Sequence, residues 1–262
     1  MKICVLASSS SANCTYIESG CTRILIDAGL SAKETTVRLA SIGVEPGSIQ
    51  AICVSHEHSD HIAGLRVLHQ RHGIPLYANS GTSDAVSNLP RNDSLAWKVF
   101  STGAPFLVGD LRIEPFSVPH DAYEPVGFVI SDLTDRVGIV TDMGTATELI
   151  RQRLRGCHGL VIETNYDDDL LRDSKRPWPL KQRIMGRQGH LSNQHAAEMI
   201  VEILSPQLRR VYLAHLSNDC NRPELAMKAM RDGLNGHAAE HLQLVLTHSD
   251  RPTELWAVDA AQ

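Results

Sequence analysis

Short β-branched apolar runs alternate along the chain with stretches whose apolar residues recur at helical spacing. Ile3–Ala7, Arg23–Ile26, Ile52–Ser55, Arg112–Val118, Gly127–Ile130, Val137–Thr141, Leu160–Glu163, Arg210–Ala214 and Leu242–Leu246 read as strands. Glu254–Val258 is strand-like too. Helical periodicity covers Ala32–Ile42, Ile62–His72, Ala146–Leu154, Asn193–Leu204 and Pro223–Leu234. Ser31 is placed to cap the first helix, with Glu34 three residues on, and Pro223 suits a first helical position. The stretch Arg172–Gly189, with Pro177, Pro179 and many charges, breaks the pattern and reads as a long functional loop. Strands and helices mix over the whole length, with no linker, repeat or low-complexity tract. The pattern therefore predicts one layered α/β domain over residues 1–262.

Composition narrows the class. A chain of 262 residues with 42% hydrophobic content can bury a substantial core. No apolar run approaches the ~20 residues that span a bilayer, and the apolar opening Ile3–Ala7 is too short for a signal-peptide core. Cys4, Cys14, Cys21, Cys53, Cys157 and Cys220 show no C-x-x-C spacing. They read as free thiols rather than a disulfide framework, which with the missing export signal points to the cytoplasm and to no membrane partner. A net charge of −5 argues against a protein that coats itself non-specifically with nucleic acid. It leaves open a local grip on phosphates, because two divalent cations add about +4 at a site.

The chemistry concentrates in Val54-Ser55-His56-Glu57-His58-Ser59-Asp60-His61, directly after a strand. In an extended turn His56 and His58 project to the same side and can chelate one metal ion. Asp60 and His61 stand where the turn passes into a helix and can reach a second ion. A solvated polar turn is the bland alternative, but crowded imidazoles gain nothing without a cation.

This H-x-H-x-D-H motif resembles that of the metallo-β-lactamase superfamily, and the further expected pieces follow in order. Asp27 closes Leu25-Ile26-Asp27, His120 follows Ser117-Val118-Pro119, Asp142 ends Ile139-Val140-Thr141, and His215 ends Tyr212-Leu213-Ala214. The resemblance implies a four-layer αββα sandwich. It also implies a first metal on His56, His58 and His120, and a second on Asp60, His61 and His215. Asp142 would bridge, Asp27 would order the ligand loop from behind, and Asp60 would contribute to catalysis as well as to ligation. A water shared by two such ions is acidified toward neutrality and becomes a nucleophile. Zn²⁺ suits the imidazoles, while Mn²⁺ or Fe²⁺ suits the carboxylates.

Glu163 in Glu163-Thr164-Asn165-Tyr166-Asp167 and His190 in Gly189-His190-Leu191-Ser192-Asn193 resemble the acid–His arrangement of ribonuclease Z and its relatives. That likeness implies His190 as general acid to the leaving oxygen, oriented by Glu163. Ser217, Asn218 and Asn221, in the block after His215, resemble groups that approach a phosphate, although turn and cap roles fit them equally. The Ser-rich opening (Ser9, Ser10, Asn13) and Ser192 join this set of candidate substrate contacts. The Arg172–Arg183 loop, extended by Arg187, carries six basic residues against one acid, with Trp178 among them. Lys181 and Arg183 are its candidate contacts to a nucleic-acid backbone. Together these blocks are similar to those of YycJ/WalJ-type bacterial proteins, which implies a manganese-supported 5′-to-3′ DNA exonuclease acting on DNA with a 5′ end. The alternatives are a ribonuclease Z-like RNA nuclease or small cyclic-phosphate phosphodiesterase, then a glyoxalase II-like thioesterase. An inactive metal-binding scaffold is a further class, which the complete ligand set disfavours.

Overall fold

Alternation along the first strand, β1 (Lys2–Ser9), sets out the layers. Ile3 and Val5 enter one apolar core, while Cys4 and Leu6 enter another, as a two-residue side-chain period requires. The computed structural model describes residues 1–258. Its first sheet runs in the order β14 (Trp256–Ala257), β1, β2 (Ala12–Ser19), β3 (Thr22–Ile26), β4 (Ala51–Cys53), β5 (Leu76–Ala78) and β6 (Trp97–Val99). The second runs β13 (Gln243–Leu246), β12 (Arg210–Ala214), β11 (Gly159–Glu163), β10 (Arg136–Val140), β9 (Val126–Ser131), β8 (Leu111–Ser117) and β7 (Phe106–Val108).

Three apolar cores separate four layers. Ile24, Ile26, Phe128, Val161 and Tyr212 fill the space between the sheets. Leu25 and Ile52 face the other way and meet Leu39 of α1 (Ala32–Ser41), Leu68 of α3 (Leu65–His72) and Val86 of α4 (Ser80–Ser87). Leu160 and Leu213 meet Ile150 of α5 (Glu148–Leu154), Met199 of α8 (Asn193–Ile203) and Met230 of α9 (Pro223–Leu234). Each fully buried side chain of this kind contributes roughly 1.5–3 kcal/mol. The αββα order expected from the resemblance is present.

The structure departs from the sequence reading in several elements. The helix expected over Ile62–His72 is divided into α2 (Ser59–Ile62) and α3, because the Gly64 amide donates to the Ala28 carbonyl (2.8 Å) instead of back into the helix; Gly64 packs so closely there that a Cβ would lie 2.2 Å from the Leu30 carbonyl oxygen. The stretch read as a loop contains α7 (Trp178–Met185), preceded by α6 (Asp168–Asp173). Pro177 and Pro179 fall at the start of α7, where a missing N–H breaks no helical hydrogen bond.

Pairing is parallel between β3 and β4, and between β10, β11 and β12. Their C-terminal ends, carrying Asp27, the His56 turn, Asp142, Glu163 and His215, converge. In layered α/β proteins such strand ends are where ligands bind.

Candidate metal centre

Three strand ends reach this point through left-handed backbone: Asp27 (φ 62°), Asp142 (φ 56°) and His215 (φ 56°). Asp and His tolerate that region better than bulkier residues, and it turns each side chain sharply off its strand. Such conformations cost of order 1–3 kcal/mol each and persist where the surroundings impose them.

Ligating atoms gather in overlapping groups: His56, His58 and His120; Asp60, His61 and His215; and Asp142 with His56 and His61. Within each group they lie within 4.8 Å of one another. His58 Nδ1 is 3.3 Å from His120 Nε2, and Asp60 Oδ2 is 3.4 Å from both His61 Nε2 and His215 Nε2. Two ligands of a tetrahedral ion at about 2.1 Å stand about 3.4 Å apart, so these spacings fit two ions. Asp142 Oδ2 lies 3.1 Å from His61 Nε2 and Oδ1 lies 3.7 Å from His120 Nε2. One carboxylate thus faces both clusters.

The opposite nitrogen of most of these imidazoles is fixed. His61 Nδ1 donates to Asp27 Oδ2 (2.8 Å), His120 Nδ1 to the Gly189 carbonyl (3.1 Å), and His215 Nδ1 to Glu163 Oε1 (2.7 Å). His56 Nδ1 donates to Ser55 Oγ (3.0 Å), whose own proton goes to Asp27 Oδ2 (2.9 Å). Each ring is therefore oriented with Nε2 inward, the arrangement by which outer hydrogen bonds orient metal ligands. His56 Nε2 and Asp142 Oδ2 are buried with no hydrogen-bond partner among the described residues. Buried polar atoms left in that state are costly. A cation satisfies both, and the donor set fits two divalent ions.

Electrostatics agree with the geometry. Burial holds the His56 imidazole neutral, well below its usual range. Burial opposes ionisation of Asp142, yet the surrounding His215 and His61 hold its carboxyl well below the usual carboxylate range. Asp60 is likewise held low against burial, by hydrogen bonds from His215 and His61. His215 is pushed up to about 10, because Asp142, Asp60 and Glu163 outweigh its burial.

Beside the ligands stands a second pair. Glu163 Oε1 accepts from Nδ1 of His190 (2.7 Å) as well as from His215, and Oε2 accepts from the Met143 and Leu191 amides (2.9 and 3.1 Å). The carboxylate is fully buried and its four acceptor sites are engaged. Burial opposes its charge, but His190 and His215 draw its pKa down to about 2. His190 in turn is raised above its usual value, as the Glu163 charge overcomes burial. Its side chain is 24% exposed, against 2% for His215, so its other nitrogen has access to the open side of the centre.

The pattern of residues 22–216 matches the family described as Beta-lactamase superfamily domain. The chain belongs to the beta-lactamase superfamily. Within it, this protein is 39% identical over 232 residues to Exodeoxyribonuclease WalJ of Streptococcus pneumoniae, covering 87% of this chain and 86% of that one. It is 36% identical over 223 residues to Exodeoxyribonuclease YycJ of Bacillus anthracis, covering 85% and 84%. The fold is also that of the metallo-β-lactamase fold protein YhfI of Bacillus subtilis, with a TM-score of 0.74, 16% identity and coverage of 96% and 98%. This superfamily member is a metal-dependent hydrolase.

The candidate substrate contacts divide. Ser9, Ser217, Asn218 and Asn221 line one cleft of about 300 Å³, and Ser10 is exposed at the adjoining turn. Within that cleft Asn221 is committed inward, its amide donating to the Thr164 and Asn165 carbonyls (2.8 and 3.0 Å), so it ties loops together rather than reaching a phosphate. Ser217 Oγ accepts from the Cys220 amide. Asn13 donates to Asp60 Oδ2 (3.1 Å) and so supports a candidate ligand. Ser192 is fully buried and caps α8 through the His195 amide. Lys181 is a correction: its side chain is buried, with the ammonium donating to the Arg172 and Ser174 carbonyls (2.6 and 2.7 Å). Arg183 pairs with Asp121, beside the candidate ligand His120. Ser8 was overlooked in the sequence; its hydroxyl donates to Asn13 Oδ1 (2.8 Å) and accepts from the His215 amide (2.9 Å), joining both sheets. Its signal in the sequence is that it opens the Ser-rich run Ser8–Ser11 at the end of a strand.

Proposed function

We propose that this protein is a 5′-to-3′ DNA exonuclease holding two divalent ions, Mn²⁺ or Zn²⁺, and acting in the cytoplasm. The observation that carries the reading is the His190–Glu163 pair, 2.7 Å apart, beside a complete two-ion ligand set. His56, His58 and His120 would hold one ion, Asp60, His61 and His215 the other, with Asp142 between them. Two ions there would supply positive charge for phosphoryl oxygens and lower the pKa of a water nucleophile.

The chain's own groups account for the remainder. Phosphodiester cleavage expels an alkoxide, which needs a proton at the moment the bond breaks. His190 carries that proton at Nε2, because Glu163 fixes the ring through Nδ1 and favours the charged form. Asn13 and Asp27 keep Asp60 and His61 in place from behind. Ser9, Ser10, Ser217 and Asn218 border a cleft that would receive a terminal phosphate. The relatives named exodeoxyribonucleases support DNA as the polymer. Six free cysteines, five of them buried, support a reducing compartment, and no described helix is long and apolar enough to cross a membrane.

The class of chemistry is tested by comparing turnover of bis-p-nitrophenyl phosphate and of an acyl-glutathione thioester by metal-loaded protein. Preference for the phosphodiester is expected. Preference for the thioester would contradict the reading, and no turnover of either above the metal-free control would favour a scaffold.

A further inference from the structure

An exposed aromatic residue stands at the lip of the centre, three residues after the ligand His120. Tyr123 is 80% exposed, yet its backbone is pinned from both sides. Its amide donates to Oε1 of Glu57 (3.0 Å), the residue between ligands His56 and His58. The next residue, Glu124, accepts from the Gly81 amide (3.0 Å) and the Thr102 hydroxyl (2.6 Å), and its carbonyl accepts from Asn79 (2.7 Å). A large aromatic exposed to water on a fixed backbone forgoes burial, and a fixed attachment point is what a stacking platform requires.

Tyr123 lines a cleft of about 450 Å³ together with His120, Pro119 and Gln188. A second cleft of about 700 Å³ shares Pro119 and Gln188 and adds Asp121, Arg183 and Arg187. The two form one groove along the His120 side of the centre. Arg183 is paired with Asp121. Arg187 is exposed and makes no ion pair among the described residues, while its carbonyl lies against Gly144, two residues from Asp142. The groove thus offers an aromatic face at one end and an uncommitted guanidinium at the other. The cleft on the opposite side of the centre is different. It contains Asp250, and its Arg222 donates to the Asn218 and Asn221 carbonyls.

We propose that this groove is a nucleotide subsite for a nucleic-acid strand, with Tyr123 stacking on a base and Arg187 holding a backbone phosphate. The proposal deepens the nuclease reading and rests on it. It moves the polymer contacts from Lys181, which is turned inward, to two residues that face the groove. Stacking is indifferent to base identity because every base has a π-face, which suits an enzyme that consumes a strand of any sequence.

The test is steady-state digestion of DNA by metal-loaded wild-type, Tyr123→Ala, Tyr123→Phe and Arg187→Gln proteins. Matched substrates carry an abasic site at each of the first three positions in turn. Tyr123→Ala is expected to raise KM about 5- to 20-fold with little change in kcat, while Tyr123→Phe keeps the wild-type KM. On one abasic substrate the wild type should lose the same factor and Tyr123→Ala should lose nothing more. Arg187→Gln should reduce the slope of log affinity against log salt by about one phosphate contact. If wild-type protein cuts DNA but Tyr123→Ala matches it, or its penalty persists on every abasic substrate, the subsite is wrong and the nuclease reading stands. If wild-type protein does not cut DNA, the reading fails and the subsite with it.

Discussion

Nδ1 of His190 lies 2.7 Å from Oε1 of Glu163, a carboxylate fully buried behind the metal ligands. The pair sets the protonation of the imidazole. His190→Ala should retain both metals while lowering kcat about 10²- to 10⁴-fold; an unchanged rate would remove His190 from the mechanism.

The same pair predicts a pH profile. The folded pKa of His190 is raised above the usual imidazole value of about 6.5. A group that acts as an acid works below its pKa, so the rate should hold below that raised value and fall as pH rises past it. Glu163→Gln removes the charge responsible, and the basic limb should move to lower pH. Metal content of this variant must be measured alongside, because Glu163 also orients His215.

Metal uptake should release protons. His61 and His215 are both raised, against burial, by the carboxylates around them, His61 chiefly by Asp27 and Asp142. In metal-free protein at neutral pH they carry protons that a cation must displace. Affinity should therefore weaken as pH falls, and titration calorimetry in buffers of different ionisation enthalpy should detect the release. His58→Ala and Asp142→Asn should lose metal and activity together.

Gly29→Ala is expected to disable the centre without replacing any proposed ligand. A Cβ there would lie 1.6 Å from the Asp60 carbonyl oxygen and 2.6 Å from the Asn13 amide. Backbone cannot yield as a side chain does, so the ligand turn must shift. Reduced metal stoichiometry together with a lowered melting temperature is the expected result.

Lys181→Met should act on stability. Its buried ammonium satisfies two carbonyls at the C-terminal end of α6, and leaving them unpaired costs about 1–3 kcal/mol. Denaturant unfolding should show that loss, and the salt dependence of DNA binding should change less than in Arg187→Gln.

Much of the cluster was legible because the side chains that converge there sit in short motifs tied to strand ends. His56, His58, Asp60 and His61 are neighbours in sequence, and Asp27, Asp142 and His215 each close an apolar run that forms a strand. The remainder depended on information no local pattern carries. β2 was unread because its Ala12–Ser19 run mixes Asn13 and Thr15 with apolar residues and is buried on both faces over most of its length, which erases alternation. β5, β6 and β7 have three residues each, too few to show a period. The prolines that made Arg172–Gly189 read as a loop occupy the one part of a helix that accepts them. Lys181 and Arg187 look alike as letters, and only the packing of α7 turns one inward and leaves the other free.

The most direct test of the account is digestion of duplex DNA carrying a label at one end, with and without a 5′-phosphate. It is run in Mn²⁺ and separately in Zn²⁺, with His58→Ala as the control. The account predicts stepwise release of label from the phosphorylated 5′ end, absent in His58→Ala. Metal-loaded wild-type protein that leaves this DNA intact, or that degrades it from the 3′ end, would contradict it.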